Sequence, residues 1–158
     1  MMNENDFFSA LLPDKPPCPF CDLMYGPNQR RDDITVGFND EWIAVYDQYP
    51  VTENHILVIP LRHIDNPFEL YGDEMLALIR ILNRLKKHLI SNDESIEGFN
   101  IGFNSGTAAG QTVPHAHCHM IPRRWGDVED PVGGIRNVIP GKGNYKLCPV
   151  DAEEAQPE

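Results

Sequence analysis

The spacing of apolar positions divides the chain into segments before composition is considered. Three short stretches, Ile34 to Phe38, Trp42 to Asp47 and His55 to Pro60, gather β-branched and aromatic residues between turn formers, which predicts three antiparallel strands. The link from Gln48 to Asn54 contains Pro50, which has no N–H to give to a ladder, so it is a loop that leaves Asp47 at a strand end. The period then changes. From Asp73 to about Ile90, the residues Met75, Leu78, Ile79, Leu82, Leu85 and Leu89 recur at steps of three and four, predicting one amphipathic helix with Asp73 as its N-cap. Phe99 to Asn104 predicts a fourth strand, residues 105 to 110 a loop of small side chains, and Val113 to about Ile121 a fifth strand. Gly126 to Tyr145 is rich in Gly and Pro, has no clear period, and contains no repeat.

Composition narrows this picture. A length of 158 residues supports one domain with one core, and 41% apolar with 23% charged residues is the balance of a globular protein. Residues 18 to 145 are expected to form that domain, between an N-terminal tail (1 to 17) and an acidic C-terminal tail (146 to 158). A formal charge of −11 argues against DNA or RNA as a partner, because such binders carry surplus Lys and Arg, so any nucleotide partner should be small. No apolar run approaches the ~20 residues of a membrane span, and the start MMNENDFF does not resemble a signal peptide; a cytoplasmic location without membrane association is expected. Two of the four cysteines sit in Cys18-Pro19-Phe20-Cys21, which in that setting suggests a metal or a reduced thiol pair rather than a disulfide.

Chemistry concentrates in residues 111 to 123. His115, His117 and His119 alternate with Ala116, Cys118 and Met120, so an extended strand would place the three imidazoles on one face. Successive rings would then stand roughly 6.6 Å apart, too far for the outer two to share an ion easily, and separate tasks follow. A single strand histidine is usually a packed or solvated residue. Three of the chain's six histidines within five residues, beside a small-residue loop, reverse that expectation.

These residues resemble the histidine-triad (HIT) family, whose signature of three histidines, each followed by an apolar residue, is met from His115 to Ile121. The resemblance continues through Asn104, Gly110-Gln111-Thr112, Pro122-Arg123 and His55 to Pro60, covering roughly residues 18 to 125. It implies an α+β domain with a five-stranded antiparallel sheet and one main helix, a homodimer, and hydrolysis or transfer of nucleotidyl groups of small nucleotides such as dinucleoside polyphosphates or nucleoside phosphoramidates. It also implies that His117 attacks the α-phosphorus and forms a nucleotidyl-imidazole. His119 would hydrogen-bond a phosphate oxygen, with Gln111, Thr112 and Asn104 as further donors. Gly110 would let the main chain approach the phosphate, Asp47 would accept from ribose hydroxyls, and His55 would support the triad.

The same resemblance, to zinc-carrying members and the related uridylyltransferases, implies a structural zinc on Cys18, Cys21, His63 and His115, with no organic cofactor. Reduced, unliganded thiols are the alternative. Cys118, on the opposite face from the triad, and Cys148 read as bystanders. Two other functions stay open: a metal-dependent hydrolase with catalytic zinc on the His-x-His strand, and a nucleotide-binding regulatory module with little turnover. Residues 133 to 143 are not a P-loop, since Gly143 stands where Ser or Thr must hold magnesium, but Arg136 and Lys142 could reach a polyphosphate or a dimer partner.

Overall fold

The computed structural model describes residues 18–26 and 35–146. Ile34, Cys148 and, apart from Lys146, both expected tails lie outside that range. The elements are helix α1 (Pro19–Tyr25), strands β1 (Thr35–Phe38), β2 (Trp42–Tyr46) and β3 (Ile56–Pro60), helix α2 (Gly72–Asn92), and strands β4 (Gly98–Phe103) and β5 (Cys118–Arg123). Short 3-10 turns occupy Pro67–Glu69, Thr107–Ala109 and Gly134–Val138. The five strands form one antiparallel sheet in the order β1-β2-β3-β5-β4. No helix among the described residues is long and apolar enough to cross a membrane.

Strand alternation sends side chains to two faces, and each face is covered by a different helix. Trp42, Ala44, Ile56, Val58, Cys118 and Met120 pack against α2, which contributes Ala77, Leu78, Ile81, Leu82, Leu85 and Leu89. The expected helical stripe is thus rotated. Met75 and Ile79 are 42% and 53% exposed, while Ala77 and Ile81 face the sheet, the small Ala77 letting the helix approach closely. On the other face, Ile43, Val45, Leu57 and Ile59 meet Met24, Phe20 and Leu23 of α1. No apolar period marks this helix, although Cys18 at its N-cap and Pro19 inside its first turn are a recognisable start.

The start of α2 also differs from expectation. Glu74 accepts a hydrogen bond from the Tyr71 N–H (2.8 Å), so the helix begins at Gly72 and Asp73 lies inside it, accepting from the Glu74 N–H. Glu74 is 7% exposed and is held by Arg62, whose Nε and Nη2 donate to its two oxygens at 2.9 and 2.7 Å. The Arg62 hydrogen bond keeps the Glu74 carboxyl below its usual range. Arg62→Ala would strand this carboxylate and is expected to lower stability by about 1–3 kcal/mol, less than for a fully buried pair because one side meets water. A denaturant midpoint shift at unchanged m-value checks it.

Candidate active site

β5 begins at Cys118 rather than at Val113. Pro114 has no N–H, the His115 N–H donates to the Val113 carbonyl (2.8 Å), and the Ala116 N–H donates to the Ile64 carbonyl (2.6 Å), so these residues bond to loops instead of to β3. The three histidines therefore do not form one row. His119 alone sits in the ladder, opposite Leu57 on β3 and Gly102 on β4. His117 stays beside it, ring centroids 5.1 Å apart, whereas His115 is drawn to the cysteines of α1. Cys118 faces the α2 core as expected, and burial pushes its thiol up to about 12.

His117 is 6% exposed, and its Nδ1 lies 2.8 Å from its neighbour His115's carbonyl oxygen. A carbonyl can only accept, so Nδ1 carries the hydrogen and Nε2 keeps its lone pair. The main chain thereby selects the tautomer a nucleophile needs. Phe20 of α1 stands edge-on to His117 at 5.1 Å and to His115 at 5.9 Å, walling one side of the site.

His119 lies at the end of a chain of polar groups. Its Nδ1 is 3.0 Å from His55 Nε2, and His55 Nδ1 is 3.3 Å from Asp47 Oδ2. The Val51 N–H donates to His55 Nδ1 (3.4 Å), which the Asp47 carboxylate also faces, and a single hydrogen bridges His55 Nε2 and His119 Nδ1, leaving His119 Nε2 outside this chain. That nitrogen is buried and has no hydrogen-bond partner among the described residues. Burial, then the neighbouring His117 and His55, push the His119 pKa down to about 4, with Asp47 opposing. Burial lowers His55 too, again against Asp47. Because an unfolded histidine titrates near ~6.5, the unfolded chain binds more protons than the fold between about pH 6.5 and 4. Stability is therefore expected to fall with pH across that window. His119→Gln should flatten this dependence, as read by thermal unfolding over a pH series.

The loop before the triad is held by Gln111. Gln111 donates through Nε2 to the Asp65 carbonyl (2.7 Å) and the Val113 carbonyl (3.0 Å), and its Oε1 accepts from the Gly106 N–H (2.8 Å). Both amide hydrogens are committed, so Gln111 braces the loop instead of presenting donors. Gly110 adopts φ +87°, a left-handed turn that favours glycine, and a Cβ there would come no nearer than 4.0 Å to Asn104 Nδ2. Thr112 is exposed beside it and Asn104 is half-buried. Asp47 Oδ1 accepts from the Tyr49 N–H (2.8 Å), so this carboxylate is engaged with His55 and its own turn. Ile135 packs 3.5 Å from where a Gly102 Cβ would lie, and Gly102 pairs with His119, which puts the turn carrying Arg136 on the His119 face of the sheet. Arg136 itself donates to the Gly143 carbonyl and sits over Tyr145.

Cys18, Cys21, His63 and His115 converge, their ligand atoms all lying within 4.8 Å of one another. The Cys18 Sγ to His115 Nδ1, Cys21 Sγ to His63 Nδ1 and Cys21 Sγ to His115 Nδ1 distances are 3.4, 3.1 and 3.6 Å. Zinc bonds of about 2.3 Å to sulfur and about 2.0–2.1 Å to nitrogen give a tetrahedral edge near 3.6 Å, so the donors fit that ion. Both outer ring nitrogens also have acceptors: His115 Nε2 is 2.9 Å from the Pro60 carbonyl, and His63 Nε2 is 3.1 Å from Asp65 Oδ1. His117 belongs to no such group. Asp47, His55 and His119 form a second convergent set, so among the triad histidines His117 alone lies outside both.

Comparison with known proteins agrees with this architecture. An uncharacterized HIT-like protein of Methanocaldococcus jannaschii is 32% identical over 123 residues, covering 77% of this chain and 91% of that protein. An AP-4-A phosphorylase of Mycobacterium tuberculosis is 34% identical over 107 residues, 67% of this chain and 50% of the phosphorylase. The crystal structure of a Zn-bound histidine triad family protein from Mycobacterium smegmatis superposes with a TM-score of 0.62 at 30% identity, covering 70% of this chain and 77% of that one. The HIT domain profile matches residues 28–126, and the chain belongs to the HIT domain family.

Proposed function

We propose that this protein is a nucleotide hydrolase or nucleotidyl transferase that attacks the α-phosphorus of a dinucleoside polyphosphate or nucleoside phosphoramidate through His117. The observation that carries this reading is the His117 Nδ1 to His115 carbonyl contact, which leaves the Nε2 lone pair free to bond. Attack by Nε2 forms a P–N bond as the bond from phosphorus to the leaving oxygen or nitrogen breaks. His119 Nε2 is the proton site. Burial keeps the His119 ring neutral at rest, and an anionic phosphate raises its proton affinity, so the ring can carry a proton from solvent to the departing group. His55, with Asp47 behind it, holds the ring through Nδ1 and leaves Nε2 for the exchanged proton. Water or phosphate then attacks the nucleotidyl-imidazole and releases His117. Relatives that include a named AP-4-A phosphorylase support the substrate class.

The Cys18, Cys21, His63 and His115 set is assigned in this reading to a structural zinc, which would join α1 to the end of β3 and fix the His115 carbonyl that sets the His117 tautomer. A zinc there supplies cross-linking and no step of the reaction. A homodimer belongs to the same reading, since β4 ends the sheet and Ile101 on it is 44% exposed. The experiment that tests the function is turnover of a panel of dinucleoside polyphosphates and nucleoside phosphoramidates with and without inorganic phosphate. Release of mononucleotides with loss of activity in His117→Ala supports it, and turnover unchanged by that substitution overturns it.

A further inference from the structure

The segment between β3 and α2 meets both the metal cluster and the catalytic loop. In four consecutive residues, His63 turns Nδ1 toward Cys21 Sγ, the Ile64 carbonyl accepts from the Ala116 N–H, the Asp65 carbonyl accepts from Gln111 Nε2, and Asn66 Oδ1 accepts from the Ser105 hydroxyl. The Asp65 side chain adds a fifth contact, Oδ1 at 3.1 Å from His63 Nε2. We propose that Asp65 is a positioning residue with two attachments: its carboxylate fixes His63 as a metal ligand and its main-chain carbonyl anchors Gln111, so metal binding orders the loop beside the catalytic histidines. The proposal rests on the zinc reading above.

The physical case follows from the imidazole. A ring that binds a metal through Nδ1 must carry its hydrogen on Nε2, and a carboxylate facing that hydrogen holds both tautomer and ring angle while raising ligand basicity. The other cluster histidine, His115, receives this support from the Pro60 main chain, which no side-chain substitution removes. Asp65 is therefore the replaceable support. Its side chain is 66% exposed, which places the expected effect at the low end of the usual tenfold-to-hundredfold range for such partners. Gln111 transmits the constraint. One amide proton goes to the Asp65 carbonyl, while its oxygen holds the N–H of Gly106, whose φ of +82° starts the loop turn. With His63 unliganded, residues 63–66 lose a tether at one end and Gln111 loses a fixed acceptor.

The test uses the full chain and zinc itself. Zinc affinity is measured by chelator competition for wild type, Asp65→Ala and Asp65→Asn, and amide exchange at Gly106 is followed with and without zinc. Asp65→Ala should bind zinc about tenfold more weakly, with Asp65→Asn between it and wild type because its amide oxygen can still accept from Nε2–H. Zinc-saturated variants should melt near wild type. Zinc removal from wild type should speed exchange at Gly106 at mild conditions, where opening is local, by more than at the α2 amides. A wild type that binds zinc with an Asp65→Ala affinity equal to its own overturns the carboxylate's role alone, and a Gly106 exchange rate indifferent to zinc overturns the coupling. A wild type that binds no zinc removes the metal reading and the proposal with it.

Discussion

Replacing His117 with alanine is expected to reduce turnover by about 10^4-fold or more while leaving nucleotide binding within a few-fold of wild type. Loss of a nucleophile removes the covalent route altogether, and such losses fall in the range from about 10^4 to 10^6 when neighbouring groups still bind and polarise the substrate. That is at least about 5 kcal/mol of transition-state stabilisation. The fold should tolerate the change: His117 lies before β5, outside the ladder, and its side-chain hydrogen bond among the described residues goes to the carbonyl of the preceding histidine, His115. His117→Gly with added imidazole is the sharper form, because a free ring can enter the gap beside Phe20 and restore part of the rate. Steady-state kinetics with separate kcat and KM check both variants. A residual kcat within tenfold of wild type would mean that another group attacks phosphorus.

The second large effect concerns the cluster. Cys18→Ser together with Cys21→Ser is expected to abolish zinc binding and to lower unfolding stability by about 4 kcal/mol, the contribution of a ligand held a thousandfold above its dissociation constant. The loss should stay partial, because the α2 face of the core does not involve the cluster. Its consequences should centre on α1, whose Phe20, Leu23 and Met24 cover the opposite face and whose Phe20 ring walls His117. Activity should therefore fall with stability. Wild type treated with a strong chelator should drop to the midpoint of the double variant, and a chelator that leaves the wild-type midpoint unmoved would contradict the assignment.

Much of this architecture is legible in the residues, for identifiable reasons. Val58, Ile59 and their neighbours form strands because β-branched side chains alternate between two packed faces, and Leu78, Leu82, Leu85 and Leu89 mark one helix because only a 3.6-residue period aligns them. The cysteine pair and the alternating histidines identify the chemistry because their side chains carry it wherever the backbone goes. What escaped depended on the backbone itself. Alternation placed His115, His117 and His119 in a single strand, but Pro114 and the loop acceptors Val113 and Ile64 turn the chain aside until Cys118. Gln111 reads as a phosphate donor until its partners are seen to be the Asp65 and Val113 carbonyls. The contact of Asp47 with His55, and of His55 with His119, joins residues far apart in sequence, and no local period reports it. Met75 and Ile79 belong to the apolar recurrence yet face outward, because apolarity gives a helix's stripe but not its rotation when Ala77 can also face the sheet.

The central claim is that His117 Nε2 forms a bond to phosphorus. The direct measurement is to mix enzyme with a nucleotide labelled at the α-phosphate, quench rapidly in base, where a phosphoramidate survives, and map the label by peptide mass spectrometry. A single nucleotidyl group on the peptide containing residues 115 to 119, localised to His117 and missing from His117→Ala, is the predicted result. An active wild type that carries no adduct under these conditions, or carries it on another side chain, would contradict the account.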